Sequence, residues 1–272
     1  MAIQPDWAKQ GFAEITGEIT PRLIMSLAGS EKTGKTHFSL TAPAPISYLS
    51  LDFGDQGVIE KFHKLKKIYK KEFKIPSARM KDKSKMMEEA VDTWEDFKES
   101  YLFSLKTART IIVDTETECW ELVRLALLGK LGEVKPHHYG AVNREYKEVM
   151  IKAAFDGNAN VILLQRLKKQ YINDKYTGEL EQTGYSGIPF DVQVNARTYI
   201  DAVGRFSVYI DNCRQNATLR GRSLVPVSQL TPLELADPAI FVGGGLTIPV
   251  GDLNFGELAK LVLPNSKSES WI

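Results

Sequence analysis

Cysteine is scarce in this 272-residue chain: there are two, Cys119 and Cys213, far apart, and no CxxC pair. That excludes a cysteine-rich zinc site and points to two reduced core thiols. His137 and His138 are adjacent, so a helix or strand would turn them in different directions, which argues against joint ligation of one metal. An excess of charge of one sign is missing too, with 35 Lys and Arg against 34 Asp and Glu. Overall charge therefore does not announce a nucleic-acid partner, and any basic surface must be local. No apolar run reaches membrane length, and Met1 to Thr20 mixes Asp6, Lys9, Glu14 and Glu18 with apolar residues rather than forming a signal-peptide core. The expectation is a cytoplasmic protein without a membrane partner. Repeats and low-complexity blocks are absent as well. What is there is ordinary globular material, 43% hydrophobic and 25% charged, enough for one α/β domain with an added lobe.

Short apolar runs alternate with helical patterns along the chain. Leu23 to Ala28 reads as a buried strand entering a Gly-rich turn, and Thr36 to Leu40 opens a helix that Pro43 and Pro45 terminate. Ile46 to Leu51 is a second strand ending at Asp52, Thr110 to Val113 a third ending at Asp114, and Val161 to Leu164 a fourth ending at Gln165. Between the second and third lies a charged stretch, residues 60–106. Its first part is rich in lysine from Lys61 to Lys85, and its second carries Trp94, Phe97, Tyr101 and Leu102 at helical spacing. Trp120 to Leu131 and Tyr139 to Phe155 read as helices, the latter with Val142, Tyr146, Val149 and Met150 on one face. A polar, Gly-containing stretch runs from Gln165 to Gly187. Tyr199 to Val203, Arg205 to Asp211 and Ala217 to Leu219 alternate as strands do, and the tail after Pro264 is expected to be loose. Strands alternating with helices predict an α/β fold with a mostly parallel central sheet flanked by helices and a β-rich C-terminal part. The expected division is an N-terminal segment 1–20, a core 21–225 with 60–106 as a charged helical insertion, and a C-terminal extension and tail 226–272. In such sheets ligands bind at the carboxyl ends of the strands.

Gly29-Ser30-Glu31-Lys32-Thr33-Gly34-Lys35-Thr36 matches G-x-x-x-x-G-K-[ST] in full, after a predicted strand and opening a helix. Glycines permit a loop whose N–H groups point inward, and the helix N-terminus adds positive potential. Lys35 sets a cation against the β- and γ-phosphates of ATP, and Thr36 offers its hydroxyl to Mg²⁺. Asp114 is the carboxylate placed to hold that Mg²⁺ through water. Glu116 and Glu118 read either as a polarising base or as a solvated turn. Asp52 and Asp55 flank Phe53-Gly54, and either orients an attacking water or serves turn chemistry. After Gln165 come Arg166, Lys168, Lys169, Tyr171, Lys175 and Tyr176. Cations interleaved with aromatics suit a single strand, with charge on phosphate and rings on bases. The lysine run 61–85 is a second basic candidate, against a solvated helix face.

The order of these parts resembles the RecA-like P-loop ATPases, and more closely the compact phage ATPases grouped with single-strand annealing recombinases. The resemblance covers about Arg22 to Val225. It rests on the Gly29–Thr36 loop, then Tyr48-Leu49-Ser50-Leu51-Asp52, then Ile111-Ile112-Val113-Asp114-Thr115, then Val161-Ile162-Leu163-Leu164-Gln165-Arg166. It implies that Gln165 senses the γ-phosphate and opens a mobile DNA-binding loop from Arg166 to about Gly187. It also implies that Arg220 and Arg222, two cations one residue apart, reach a neighbouring subunit's phosphate, a role for which arginine is well suited. The family commonly has a catalytic Glu two residues past the second-strand Asp; here that position is Gly54, with Asp55 next.

What the resemblance implies is an ATPase using ATP and Mg²⁺, acting on single-stranded DNA in recombination or strand annealing. It would assemble with itself as a filament or ring, work beside a single-strand DNA-binding protein, and reside in a bacterial cytoplasm if phage-encoded. The alternative is a nucleotide-controlled loader that assembles with a protein partner, DNA contact being secondary. A small-molecule kinase is a third class, for which no Arg-rich lid or acceptor pocket is visible.

Overall fold

The computed structural model describes residues 21–52, 54–130, 132, 135–201, 204–236 and 246–266, together with Lys9. The N-terminal segment 1–20 otherwise lies outside the described residues, as do Phe53 and the end of the tail, 267–272. In chain order the elements are β1 Ile24–Gly29, α1 Lys35–Leu40, β2 Ile46–Ser50, α2 Ile59–Phe62, β3 Ile68–Glu72, α3 Lys83–Thr107, β4 Thr110–Asp114 and α4 Glu116–Leu128. Then come α5 Tyr139–Tyr146, running through a π-helical turn Lys147–Lys152 into α6 Ala153–Asp156, followed by β5 Asn160–Ile172 and β6 Lys175–Gln182. The chain continues with α7 Ile188–Asp191, β7 Val194–Ile200, β8 Phe206–Cys213, β9 Arg222–Pro226, α8 Pro232–Ala236, β10 Thr247–Val250 and α9 Phe255–Val262.

The strands form one sheet in the order β10-β9-β8-β7-β1-β5-β4-β2-β3, with β6 paired to β5. From β3 to β7 neighbours are parallel; β8 runs antiparallel between β7 and β9, and β10 is parallel to β9. The expected α/β architecture is therefore present, with the parallel part at the centre. One strand, β5, stands between the strand that enters the Gly-rich loop and the strand that ends at Asp114.

Side chains alternate across the sheet, and its two faces carry two separate cores. On the front face Leu23, Met25 and Leu27 of the first strand region meet Tyr48, Ile112, Ile162, Leu164, Val194 and Val208 under Phe38, Phe62, Phe255 and Leu258 from α1, α2 and α9. On the back face Ile24, Leu49, Ile111, Val113, Val161 and Leu163 pack under α3, α4 and α5. In α3 the buried stripe is Met86, Ala90, Trp94, Phe97, Tyr101 and Leu105. Leu102, expected in that stripe, is exposed instead, because the i, i+3, i+4 row that holds Trp94 continues to Leu105. Asp82 starts this helix by accepting from the Lys85 N–H at 3.0 Å. Cys119 and Cys213 are both buried and unbridged.

Three stretches differ from expectation. The middle of the lysine-rich part of 60–106 is not a helix face: Ile68–Glu72 is the edge strand β3, parallel to β2, while Lys61 lies in α2 and Lys83 and Lys85 open α3. Three of its lysines are individually held, Lys70 by Asp55 and Glu72, Lys71 by Asp96, and Lys66 by the Thr41 and Ala42 carbonyls. Ala217–Leu219 is a 3₁₀ turn, not a strand, because the Asn216 side chain caps it through the Thr218 N–H. Most of the polar stretch after Gln165 is a β-hairpin with one register shift between Lys169 and Tyr171, turned by Asn173 and Asp174 at positive φ, a conformation both residue types tolerate. Among the described residues no helix is long and apolar enough to cross a membrane.

Candidate functional site

A cleft of about 1750 Å³ opens on the front face at the carboxyl ends of β1, β4, β5 and β2. Its floor is the Gly29–Thr36 loop. Gly34 sits at φ +89°, where a side chain would be strained, and from it the chain turns directly into α1. At Gly29 an added Cβ would fall within 3.0 Å of Thr198 and Thr33 atoms, so glycine lets the loop lie against β7. The Lys35 ammonium crosses its own loop and donates to the carbonyls of Gly29 at 2.7 Å and Ser30 at 2.8 Å. Burial lowers its pKa, and the nearby Asp114 carboxylate works against that drop.

Asp114 ends β4, just before a cis peptide to Thr115. Its carboxylate accepts from the Thr36 hydroxyl at 3.2 Å and from the Tyr48 hydroxyl. Burial raises the Asp114 pKa, and these two hydrogen bonds oppose the rise. Thr36 and Asp114 thus present hard oxygen donors side by side, which suits Mg²⁺ held by one carboxylate, a hydroxyl, water and phosphate oxygens. Among the described residues no group of three or more His, Cys, Asp or Glu is placed to hold a metal. An ion here would be shared with a nucleotide.

Strand alternation decides what else reaches the cleft. Tyr48, Asp114 and Leu164 stand on front-face positions; one further alternate step from Leu164 places Arg166 there, and two from Tyr48 place Asp52. The Arg166 guanidinium bridges Asp52, at 2.7 Å, and Glu118 across the cleft mouth. Arg166, expected on the DNA-binding loop, therefore lines the nucleotide cleft. Gln165, expected to sense phosphate, points to the back face: its amide donates to Glu116 and to the Thr183 carbonyl, each at 3.0 Å.

Glu116 is neither a solvated turn nor a cleft residue. It is fully buried on the back face, where it accepts from the Tyr146 hydroxyl at 2.8 Å, the Tyr185 N–H at 3.0 Å and Gln165. Burial pushes its pKa up to about 7 despite those three donors. Asp55 is buried as well, paired with Lys70 at 2.6 Å, and does not line the cleft. Arg220 is exposed and Arg222 half-buried on β9, three strands from β1; neither lines the cleft.

The family model described as AAA domain matches residues 22–220. The chain belongs to the AAA domain family. This AAA domain is accordingly a P-loop ATPase domain, a class that uses nucleotide and usually Mg²⁺. No curated protein matches the chain. The matched span takes in the loop, Asp52, Asp114 and Gln165–Arg166, and stops before β9. The cleft does not stop there. Pro226, Gln229, Asn254 and Lys260, beyond the matched span, also line it, and so does Phe206 at the start of β8, within that span. Sequence reasoning missed Arg166 and Phe206 as cleft residues, and Tyr48 as the buried partner of Asp114. Counting alternate positions on from Leu164 finds Arg166; nothing local marks Phe206.

The residues expected to bind DNA, beyond Arg166, lie on the hairpin. Lys169 Nζ sits 5.5 Å from the Tyr176 ring centre, and the Tyr171 and Tyr176 rings are 5.8 Å apart on the same face. Tyr171 is 58% and Tyr176 47% exposed. Lys168 is on the other face, paired with Glu181 at 3.2 Å, and Lys175 is exposed near the tip.

Proposed function

We propose that this P-loop ATPase is a RecA-like protein that binds single-stranded DNA along the β5–β6 hairpin and acts in recombination or strand annealing. The observation that carries the reading is the hairpin face with Lys169, Tyr171 and Tyr176, rooted at Arg166 in the nucleotide cleft. Exposed aromatic rings beside cations are what a sequence-tolerant single strand requires: a ring for each base and a charge for phosphate. Two consecutive residues of β5 link the sites. Arg166 answers to the cleft through Asp52 and Glu118, while its carbonyl accepts from the Thr183 N–H at 3.0 Å and from the Thr183 hydroxyl at 2.9 Å at the hairpin base.

In this reading the loop N–H groups and Lys35 hold the triphosphate, and Thr36 and Asp114 hold Mg²⁺, which supplies charge neutralisation at the phosphate oxygens. A γ-phosphate competes with Asp52 and Glu118 for the Arg166 guanidinium, so its presence is felt at the hairpin. Arg220 and Arg222, away from their own cleft, act on the phosphate of a neighbour in a filament or ring. The test is fluorescence anisotropy with an oligothymidine, with and without a non-hydrolysable ATP analogue, beside an ATPase assay with and without DNA. Binding that weakens steeply with salt and falls several-fold in Tyr171→Ala and Tyr176→Ala is expected, each stacked base being worth ~1–3 kcal/mol. No binding at low salt in either nucleotide condition removes the DNA reading.

A nucleotide-controlled loader is the second reading, and one observation favours it. The candidate water-activating carboxylates are all engaged: Asp52 by Arg166, Asp55 by Lys70, and Glu116 on the back face. Slow turnover with nucleotide-dependent assembly that is equal with and without DNA would support this reading over the first.

A further inference from the structure

Asp114 carries two donors on one carboxylate oxygen, and only one of them belongs to the Gly29–Thr36 loop. The Thr36 hydroxyl donates to Oδ2 at 3.2 Å, and the Tyr48 hydroxyl donates to the same atom. Tyr48 stands in the middle of β2. The register sets Ser50 opposite Asp114 and Tyr48 opposite Ile112, two residues back on the same face. From the strand spacing and the rise of two residues, such diagonal neighbours lie about 8 Å apart, within reach of an aromatic side chain. Ser50, the nearer residue, turns its hydroxyl to the Asp52 carbonyl at 2.8 Å instead. Tyrosine here both fills the front core and ends in a donor at Asp114. The backbone repeats the tie, since the Leu51 N–H donates to the Asp114 carbonyl at 2.6 Å. A buried phenol needs an acceptor for its own sake, so the bond alone fits a purely structural tie. Two further observations concern the target. The Asp52 and Asp55 charges stand near enough to repel the Asp114 carboxylate, so its orientation needs holding. Thr36 is the oxygen that Mg²⁺ would share, whereas Tyr48 is fully buried behind Asp114 and does not line the cleft.

We infer that Tyr48 is a positioning residue for the metal, resting on the nucleotide reading above: it fixes the Asp114 carboxylate from the core side of the sheet. With both donors on Oδ2, Oδ1 is left to the water shell of an ion held beside Thr36. The tie from Tyr48 persists when the ion engages Thr36, because no ligand reaches it. Partners that orient a metal's own ligands commonly govern its affinity by about 10–100-fold. The edge-side strand β2 therefore sets the metal site together with the loop that opens α1.

The experiment is calorimetric titration of the full chain with a non-hydrolysable ATP analogue, in EDTA and over a series of Mg²⁺ concentrations. The proteins are the parent, Tyr48→Phe, Asp114→Asn and the double variant. Tyr48→Phe keeps the ring and loses only the hydroxyl. It is expected to raise the Mg²⁺ concentration for half-maximal tightening about tenfold, and to leave metal-free affinity within about twofold. A merely loosened core would weaken both conditions alike. Because Tyr48 acts through Asp114, the double variant is expected to match Asp114→Asn, the two losses failing to add. Three results overturn the assignment: a parental Mg²⁺ requirement in Tyr48→Phe, an equal loss with and without Mg²⁺, or full additivity in the double variant. A parent that binds the analogue in neither condition overturns the nucleotide reading itself, a distinct result.

Discussion

The two faces of the sheet meet the same strand ends and do opposite things with polar groups. On the front, Lys35, Asp52, Asp114 and Arg166 line an open cleft as charges, each held by a contact that phosphate or metal is suited to replace. On the back, Glu116, Tyr146, Gln165, Thr183 and Tyr185 close into a buried network around a single carboxyl. Gln165 and Arg166 are neighbours in the chain yet belong to different faces. The pleat separates a residue that can exchange partners from one that anchors the hairpin, with no more than one peptide between them. What this teaches is that ligand chemistry and structural anchoring need not lie on different elements, only on different parities.

The largest effect expected is on the back face. Glu116→Ala leaves a buried hydroxyl and a backbone N–H without an acceptor and strips the Gln165 amide of one of its two, and each such loss costs roughly 1–3 kcal/mol. A total near ~3–5 kcal/mol is expected in chemical denaturation, since breaking buried networks falls in that range. The pH dependence has a definite sign. The folded-state pKa of Glu116 is raised from 4.5 to about 7, so the folded chain binds this proton more tightly than the unfolded one. Its contribution is complete below pH 4.5, is lost as pH rises to about 7, and is flat above. Glu116→Gln, which mimics the protonated carboxyl, is expected to shrink the fall in melting temperature between pH 5 and 7.5. Identical slopes for the two proteins would contradict a titrating back-face network.

The next effect belongs to the front. Lys35→Ala removes the cation that faces the β- and γ-phosphates, and a charge-assisted contact of ~1.5–3 kcal/mol corresponds to a loss of about 10–100-fold in ATP affinity. Stability should scarcely change, because the ammonium bonds only to its own loop carbonyls. If Lys35→Ala lowers the melting temperature as much as Glu116→Ala, the division between exchangeable and anchoring groups is wrong.

How far the sequence anticipates this depends on whether a feature is local. The Gly29–Thr36 motif, the apolar run ending at Asp114 and the alternation of strands with helices are all set within a few residues, and each is legible as read. The facing of Gln165 and Arg166 is legible in principle, since β5 counts alternately from Ile162 and Leu164, but only once the register with β1 is known. Buried parallel strands hide that information, because both faces are apolar. The hairpin reads as a polar loop because its side chains are exposed on both faces, leaving no hydrophobic alternation to signal a strand. The edge strand β3 is masked likewise: its lysines look like a solvated helix face until Asp55, Glu72 and Asp96 are seen opposite them. The meeting of Phe206, Gln229 and α9 with the Gly34 loop joins segments far apart in the chain, and no local pattern encodes it.

The smallest effects are the sharpest test of the two-face division, because they concern adjacent residues. Arg166→Ala should lower kcat/KM for ATP by about tenfold, the scale of one lost charge-assisted contact, and should leave the hairpin base intact because Thr183 bonds to the Arg166 backbone. Gln165→Ala should do the reverse. It removes the amide that ties Glu116 to the Thr183 carbonyl, at a cost of ~1 kcal/mol in stability, and leaves kcat/KM within about twofold. Limited trypsin digestion at Lys168, Lys169 and Lys175 reads the hairpin directly, with faster cleavage expected in Gln165→Ala and parental cleavage in nucleotide-free Arg166→Ala. Should Gln165→Ala depress turnover as strongly as Arg166→Ala, the glutamine reaches phosphate after all, and parity along β5 is not what separates chemistry from anchoring.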